Sequence, residues 1–371
     1  MTQDFHTYKE IRQQPRVWRK AYDIIHTRKA EIRSFLATNL DKDYTIVLTG
    51  AGTSAYIGDA LEPALSRISR SVRAIATTDI ITDPGLYFDE NSKVLLISFA
   101  RSGNSPESVG AVKAVEKTAG KVAHIFITCN ENGELAKMKG SNILTILLPP
   151  ETNDVSLAMT SSYSTMLLVC SMIARIDNIE EDKESIDLLS DKVEAAMAYY
   201  EPKIKEIADR AFTRAIFLGS GPLKGLAEES RLKLQELTDG AVMCAFDSFL
   251  GFRHGPKALV NPNSLLVYLL SSNQDIQRYE LDLIRQINSN NKVKASVIVC
   301  QQKPVLEEDC YDLCVEIGLP KSVADYYACV SYIFVGQLLG FFKSIATGLC
   351  PDSPSVSGNI SRVVEGVTLY I

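Results

Sequence analysis

The sequence lacks the residue patterns that build a metal centre or a disulfide framework. Its four histidines, at positions 6, 26, 124 and 254, share no metal-ligand spacing with one another. Its eight cysteines include no Cys-x-x-Cys pair, and only Cys310 and Cys314 lie close together in the chain. Scattered cysteines of this kind are typical of reduced thiols in a protein core. We therefore predict a cytoplasmic protein without a metal site.

The sequence also lacks an excess of positive charge and an N-terminal signal peptide. The net charge is −6 with no basic patch, so a nucleic-acid partner is not expected. Residues 1–19 are polar and charged and contain no apolar signal core. The apolar stretch Tyr326–Gly348 is long enough for a membrane span, but Ser331, Gln337 and Lys343 interrupt it. We expect a buried helix there and no membrane partner.

The remaining composition is that of a two-domain α/β protein. The chain has 371 residues, of which 46% are hydrophobic and 23% charged, and this length suggests two domains. Apolar strands alternate with helical stretches, which predicts a doubly wound parallel sheet; the strands lie near 45–49, 72–76, 94–98, 123–128 and 143–148. The pattern restarts at Arg214–Pro222, where a strand again meets a Gly-x-Gly turn. The predicted segments are an N-terminal helical segment (1–40), a first domain (41–178), a linker helix (179–212), a second domain (213–350) and a C-terminal tail (351–371).

A serine-rich loop follows the predicted strand at Val94–Ile97. Pro106 suits the first turn of a helix, which makes Ser105 its N-cap. Such a helix directs unpaired N–H groups and the positive end of its dipole towards the loop. Ser102 adds a hydroxyl, and Gly103 allows close approach of the backbone. The loop therefore predicts a phosphate site, or alternatively an ordinary strand-to-helix connection whose serines only cap the helix.

A second strand followed by small residues lies earlier in the chain, at Ile46–Ala55, and a helix is predicted after it at Ala55–Ile68. Loops at the carboxyl ends of neighbouring parallel strands can share one ligand, which favours a phosphate held by both loops. A rival interpretation also exists for the earlier loop. Its Gly-x-Gly-x-x-Ala pattern beginning at Gly50, with Asp79 about 20 residues further on, fits a looser dinucleotide-binding motif. That interpretation gives no part to the serine-rich loop, so we favour a sugar phosphate.

The two loops resemble those of the sugar isomerase (SIS) domain family, which binds phosphosugars through a Gly-Thr-Ser turn and a Ser-x-Ser-Gly-x-Thr/Ser loop. The matching residues are Gly52, Thr53 and Ser54 in the turn and Arg101, Ser102, Gly103, Asn104 and Ser105 in the loop. Ala100 replaces the first serine of the family loop, and Arg101 is either a substitute source of charge or an ordinary exposed arginine. The resemblance implies two flavodoxin-like SIS domains in tandem, with no cofactor.

The resemblance extends to a third segment, in which Thr160, Ser161 and Ser162 would contact the sugar. The alternative is a Ser/Thr-rich N-terminus of the helix predicted at Tyr163–Ile176. In the second half, Ser271–Gln274 lacks the Ser-Gly-x-Ser loop. We therefore expect that half to keep the fold without phosphate binding.

Two segments of the second half resemble the catalytic residues of the family's isomerases. Glu236 lies where they keep a catalytic glutamate, although such charges are often only the solvated face of a helix. His254, in the segment Arg253–Ala258, resembles the histidine of a His-Gly-Pro segment that opens the sugar ring, whereas a histidine beside Gly-Pro is often structural. In related isomerase domains this histidine comes from the neighbouring subunit, which implies a homodimer with shared active sites.

The tail at Ser357–Val364 resembles the segment that folds over the active site of glucosamine-6-phosphate synthase. That synthase carries a Schiff-base lysine where this chain has Arg362. A guanidinium stays protonated and cannot act as an amine nucleophile, so Arg362 is expected to stabilise enolate-like charge. An amino sugar needs no such lysine, because its own nitrogen at C2 becomes the imine.

The whole pattern resembles the galactosamine-6-phosphate deaminase/isomerases of N-acetylgalactosamine catabolism, formerly described as tagatose-6-phosphate ketose/aldose isomerases. The expected reaction converts galactosamine-6-phosphate and water into tagatose-6-phosphate and ammonia. Two alternatives remain, a phosphosugar isomerase that releases no ammonia and a non-catalytic phosphosugar sensor.

Overall fold

The chain divides into two compact units. The computed structural model describes residues 2–66, 71–290, 292–320, 323, 325–363 and 366–370. The first unit, as we call it, consists of Arg16–Asp154, Met159–Ile186 and Ser361–Ile371. The second unit consists of Met1–Pro15, Val155–Ala158 and Asp187–Ile360.

Each unit contains one five-stranded parallel sheet. The strands are β1 (Thr45–Thr49), β2 (Val72–Ala74), β3 (Lys93–Ala100), β4 (Lys121–Thr128), β5 (Ile143–Leu147), β6 (Arg214–Gly219), β7 (Met243–Asp247), β8 (Ser264–Leu269), β9 (Ala295–Cys300) and β10 (Leu313–Glu316). The first sheet has the order β2-β1-β3-β4-β5, and the second has the equivalent order β7-β6-β8-β9-β10. All neighbouring strands run parallel. The predicted α/β fold with two doubly wound parallel sheets is therefore confirmed.

Helices connect and cover the strands. They are α1 (His6–Arg12), α2 (Gln14–Thr27), α3 (Lys29–Asn39), α4 (Thr53–Leu65), α5 (Thr77–Thr82), α6 (Pro106–Thr118), α7 (Glu134–Lys137), α8 (Ser161–Ala174), α9 (Ile179–Asp209), α10 (Pro222–Leu237), α11 (Phe249–Phe252), α12 (Gln274–Asn290), α13 (Asp325–Ala328) and α14 (Ile333–Ala346). The helix predicted to run from Ala55 to Ile68 corresponds to α4, and Ile68 itself lies outside the described residues.

The central strands and two helices are apolar because they are covered on all sides. Every residue of β8 and β9 is buried, as expected for the middle of a parallel sheet with helices on both faces. Helix α8 is buried from Ser161 to Ile173. The segment Cys329–Ala346 is long and apolar enough to cross a membrane, but 89% of it is buried inside the protein. The expected buried helix is therefore confirmed.

The point at which each sheet reverses its strand order lies between β1 and β3 in the first unit and between β6 and β8 in the second. Thr49 at the end of β1 pairs with Ser98 on β3, so the loops after these strands leave the same edge of the sheet. Ligands of open parallel sheets bind at this switch point. The topology therefore directs attention to these two loops.

Candidate active site

The turn between β1 and α4 depends on two glycines. Gly52 has φ +55° and ψ −127°, a conformation that residues with a side chain rarely adopt. A Cβ atom added to Gly50 would lie 2.5 Å from the backbone carbon of Ser54. Thr53 and Ser54 open the helix and are each 5% exposed. The sequence therefore forms a tight turn that brings the start of α4 to the edge of the sheet.

The loop after β3 is held by the cap of α6. The Ser105 hydroxyl accepts a hydrogen bond from the Ser108 N–H at 3.2 Å, which confirms Ser105 as the N-cap and Pro106 as the first helical residue. Gly103 has φ +66°. The Asn104 side chain turns away towards α7, where its Oδ1 accepts the N–H of Glu134 at 2.9 Å. In this loop Asn104 therefore has a structural contact, and its predicted substrate contact remains a prediction.

A small cavity of about 130 Å³ lies between these two loops in the first unit. Four of the predicted binding residues line it, together with the predicted tail residue Arg362. The lining residues from the two loops are Ala51, Ser54, Phe99, Ala100, Arg101, Ser102 and Ser105; the others are Glu107, Ser108, Met159, Arg362 and Val363. The lining therefore includes serines and two arginines, residue types that suit a phosphate.

The two arginines of this cavity are fixed by backbone carbonyls. Arg101 is 6% exposed, and its Nη2 donates to the carbonyl oxygen of Arg362. The Arg362 guanidinium donates through Nη2 to the carbonyl oxygen of Asp154 at 2.6 Å and to Oδ1 of Asn153 at 3.1 Å. The exposed-arginine interpretation of Arg101 is therefore wrong, because the loop folds this side chain inward to meet the tail.

The positive field of the arginines extends to a buried thiol. Burial raises the pKa of Cys129 to about 12, and the charge of Asp154 acts in the same direction. The positive charges of Arg101 and Arg362 oppose this rise without cancelling it. On the rim of the cavity, Oε2 of Glu107 is buried and makes no hydrogen bond with the described residues. The site thus contains one carboxylate oxygen that could accept a bond from a hydroxyl or amine group of a ligand.

The start of α8 is organised by a carboxylate that the sequence argument did not single out. Oδ2 of Asp154 accepts the N–H groups of Thr160 at 2.8 Å and Ser162 at 3.0 Å, and the Ser162 hydroxyl at 2.6 Å. The Ser161 hydroxyl donates to Oδ1 of the same carboxylate. All four residues are fully buried. This geometry favours the helix-cap interpretation of Thr160, Ser161 and Ser162, and their contact with a sugar remains a prediction.

In the second unit, Glu236 belongs to a chain of charges along α10. Lys233 is fully buried and donates to Oε2 of Glu236 at 2.7 Å, and it pairs with Glu229 at 3.3 Å. Burial alone would lower the pKa of Lys233, but the charges of Glu229 and Glu236 outweigh it and raise that pKa. The spacing of three and four residues puts all three groups on one helix face. Lys233 therefore fixes one oxygen of the predicted catalytic carboxylate.

His254 lies in the loop after α11. Its backbone N–H donates to the carbonyl of Gly251 at 3.0 Å, and Gly255 follows with φ +128°. The side chain is exposed, and its imidazole makes no hydrogen bond within the described part of the chain. The glycine-rich turn thus presents the ring to solvent, where another molecule could reach it.

The segment that leads to Arg362 is anchored close to the end of α10. The Asp239 carboxylate accepts the N–H of Ser357 at 2.8 Å and its hydroxyl at 2.8 Å. These bonds lower the pKa of Asp239. Asp239 has φ +47°, in the left-handed region that Asp tolerates better than most residues.

The structure therefore places some of the predicted site residues around one cavity, whereas others bind groups of the protein itself. Ser54, Arg101, Ser102, Ser105 and Arg362 line one cavity, whereas Asn104 and the three residues at the start of α8 bind protein groups. Sequence reasoning missed the anchoring residues Asn153, Asp154 and Asp239. The described residues contain no cluster of His, Cys, Asp or Glu that could hold a metal ion.

Comparison with known proteins finds matches that cover most of the chain. Residues 40–176 match the family model described as the SIS domain. A Shewanella sp. (strain ANA-3) protein named D-galactosamine-6-phosphate deaminase AgaS is 38% identical over 99% of this chain and 92% of its own length. An Escherichia coli protein of the same name is 36% identical over 98% of this chain and 95% of its own length. The crystal structure of tagatose-6-phosphate ketose/aldose isomerase from Escherichia coli is 32% identical, with a TM-score of 0.90 and coverage of 99% and 96% of the two chains.

Proposed function

The chain belongs to the SIS domain family, and on that premise we propose that it converts an amino-sugar phosphate and water into a ketose phosphate and ammonia. The names of its full-length relatives support galactosamine-6-phosphate as the substrate and tagatose-6-phosphate as the product. This is a step of amino-sugar catabolism.

The cavity of the first unit is the observation that carries the proposal. Ser54, Ser102 and Ser105 line this cavity together with Arg101 and Arg362. These groups would bind the 6-phosphate by charge-assisted hydrogen bonds. Arg101 replaces the hydroxyl that is missing at Ala100 with a full positive charge. Arg362 lines the same cavity, so we assign to it stabilisation of the negative charge on the bound substrate.

The second unit supplies the groups proposed to move protons. His254 transfers protons between the ring oxygen and O1 to open the sugar, and Glu236 then takes the proton from C2 and returns it to C1. The amino nitrogen loses one proton and O1 gains one, so C1 becomes a hydroxymethyl group and C2 becomes an imine. Because Lys233 occupies Oε2 of Glu236 at 2.7 Å, the other oxygen, Oε1, is the one assigned to proton transfer.

Hydrolysis completes the reaction. Water adds to C2 of the imine, ammonia leaves, and C2 becomes the ketone of the product. No Schiff base with the protein is needed, because the substrate nitrogen already forms the imine. This agrees with an arginine, which is not a nucleophile, at position 362.

The direct test is release of ammonia by the purified full-length protein. Galactosamine-6-phosphate and glucosamine-6-phosphate are supplied in separate reactions, and ammonia and the ketose phosphate are measured together. We expect equal amounts of ammonia and tagatose-6-phosphate from the galacto substrate. If neither substrate yields ammonia while phosphosugar binding is retained, the deaminase proposal is wrong, and the isomerase or sensor alternative takes its place.

A further inference from the structure

The second unit repeats the turn that forms the phosphate cavity of the first. Gly221 precedes α10 with φ +55° and ψ −127°, the same angles as Gly52 before α4. A Cβ added to Gly219 would lie 2.2 Å from the carbonyl oxygen of Leu223, just as a Cβ on Gly50 would collide with Ser54. The strand order around the two turns is also equivalent. The second unit has therefore kept the backbone of an anion-binding turn.

The carboxylate of Glu280, from α12, lies under that turn. Glu280 is fully buried, and its Oε2 accepts the N–H of Ser271 at 2.9 Å. The Ser220 hydroxyl also forms a hydrogen bond with this carboxylate. Ser220 belongs to the turn after β6, and Ser271 follows the strand β8. One carboxylate thus binds the two loops that correspond to the phosphate-binding loops of the first unit.

The Glu280 carboxylate uses only part of its capacity to accept hydrogen bonds. Burial raises the pKa of Glu280 to about 7, and the bonds from Ser220 and Ser271 oppose that rise. Its Oε1 has no well-formed hydrogen bond, and no lysine or arginine pairs with it among the described residues. A buried carboxylate without a cation is unfavourable unless the donors around it need an acceptor. The two loops provide such donors.

We propose that Glu280 is a built-in anion, whose carboxylate occupies the position at the β6–β8 switch point where a bound phosphate would lie. The second unit is closed to phosphate for this reason, and the first unit alone binds a substrate phosphate. Removal of the side chain leaves the Ser220 and Ser271 donors unpaired and opens a latent site for a small oxyanion such as inorganic phosphate.

The experiment measures the melting temperature of full-length variants as inorganic phosphate is increased at constant ionic strength with chloride. Glu280→Ala opens the site. Leu283→Ala, a fully buried position on the same helix, creates a cavity without polar donors. Glu280→Gln keeps the shape of the side chain but removes its charge. Any binding by the first unit contributes equally to all variants and cancels in the comparison.

We expect phosphate to raise the melting temperature of Glu280→Ala by several degrees more than that of the wild type, because a ligand stabilises the state that binds it. Leu283→Ala and Glu280→Gln should show the wild-type phosphate dependence. If Glu280→Ala does not fold, Glu280→Ser provides the same opening with a smaller loss of polar contact. The proposal is overturned if the opened variants gain no more from phosphate than Leu283→Ala does, or if Glu280→Gln gains as much as they do.

Discussion

Glu236 is the residue on which the proposed chemistry depends most. It lies on a helix face where Lys233 joins it to the fully buried Glu229. Because the buried Lys233 pairs with both carboxylates, it holds the Glu236 carboxylate in one orientation. A carboxylate fixed in this way suits proton transfer between adjacent carbons, which requires short and defined distances.

Replacement of Glu236 by glutamine should remove the general base and leave the phosphate cavity intact. We expect kcat for ammonia release to fall by ~10²–10⁴, with little change in phosphosugar binding by calorimetry. Glu228→Gln, the same substitution on the same helix, should retain wild-type activity. An unchanged kcat in Glu236→Gln would rule out the catalytic assignment.

Glu280 should make stability depend on pH in the direction opposite to that of an ordinary ion-paired carboxylate. Its pKa is raised from 4.5 to about 7 in the folded protein. The folded state therefore retains a proton that the unfolded state loses, and stability falls as the pH rises from about 4.5 to about 7. Tyr332 faces the same carboxylate, and its own pKa is raised far out of this range by burial.

Glu280→Gln should remove this pH dependence, because the amide does not titrate. We expect the variant to gain up to ~3 kcal/mol relative to the wild type between pH 5 and pH 8, measured by urea unfolding at both values. The wild type should lose stability over this range and the variant should lose less. Parallel curves for the two proteins would show that Glu280 is ionised throughout.

At the scale of elements, helix α8 is capped by a carboxylate that lies six residues before its N-cap position. Thr160 occupies the N-cap position of α8, yet its own side chain does not cap the helix. The Asp154 carboxylate accepts the N–H groups of Thr160 and Ser162 instead, and the Asp154 backbone carbonyl also accepts a hydrogen bond from Arg362 in the tail. Asp154 therefore contacts both the start of α8 and the tail residue Arg362.

Asp154→Ala should destabilise the protein by about 2 kcal/mol or more, because it leaves buried N–H and hydroxyl groups of the first turn of α8 without an acceptor. Urea unfolding measures the change. Asp177→Ala removes a carboxylate that is 70% exposed and forms an ion pair with Arg33, and it should change stability by no more than ~0.5 kcal/mol. Similar losses in both variants would contradict the capping role.

At the scale of the whole molecule, two units of the same topology carry different groups. The first has the serine-lined cavity with its two arginines, whereas the second has Glu236, His254 and the internal carboxylate of Glu280. His254 is exposed and its imidazole has no hydrogen-bond partner among the described residues. This exposure supports the proposal that two copies of the chain form a homodimer in which His254 serves the neighbouring copy.

A mixing experiment tests that arrangement. Glu236→Gln and His254→Gln should each be inactive, but unfolding and refolding them together should restore up to about a quarter of wild-type activity, because half of the sites in each heterodimer are intact. Each variant refolded alone provides the control. Recovery of no activity in a mixture that sedimentation shows to be dimeric would mean that both residues act within one chain.

The sequence by itself determined the fold and the loops of the first unit. Apolar strands of three to eight residues, Pro106 after Ser105, and glycines in the turns are local signals, and they act over a few residues. Strand positions and the cap at Ser105 therefore followed from the sequence. The repeat after residue 214 followed too, since the same local pattern recurs.

Only the tertiary structure decided which polar groups meet. Arg362 donates to the backbone carbonyl of Asp154 from 208 residues away, Arg101 contacts the backbone of Arg362 from 261 residues away, and Glu280 lies under a turn that contains Ser220. Such contacts depend on which loops the parallel sheets bring to the same edge, and no local spacing encodes them. The serines at the start of α8 illustrate the consequence: their sequence suggests a ligand site, but a buried carboxylate of the protein already accepts their hydrogen bonds, because a buried donor must find a partner wherever the fold provides one.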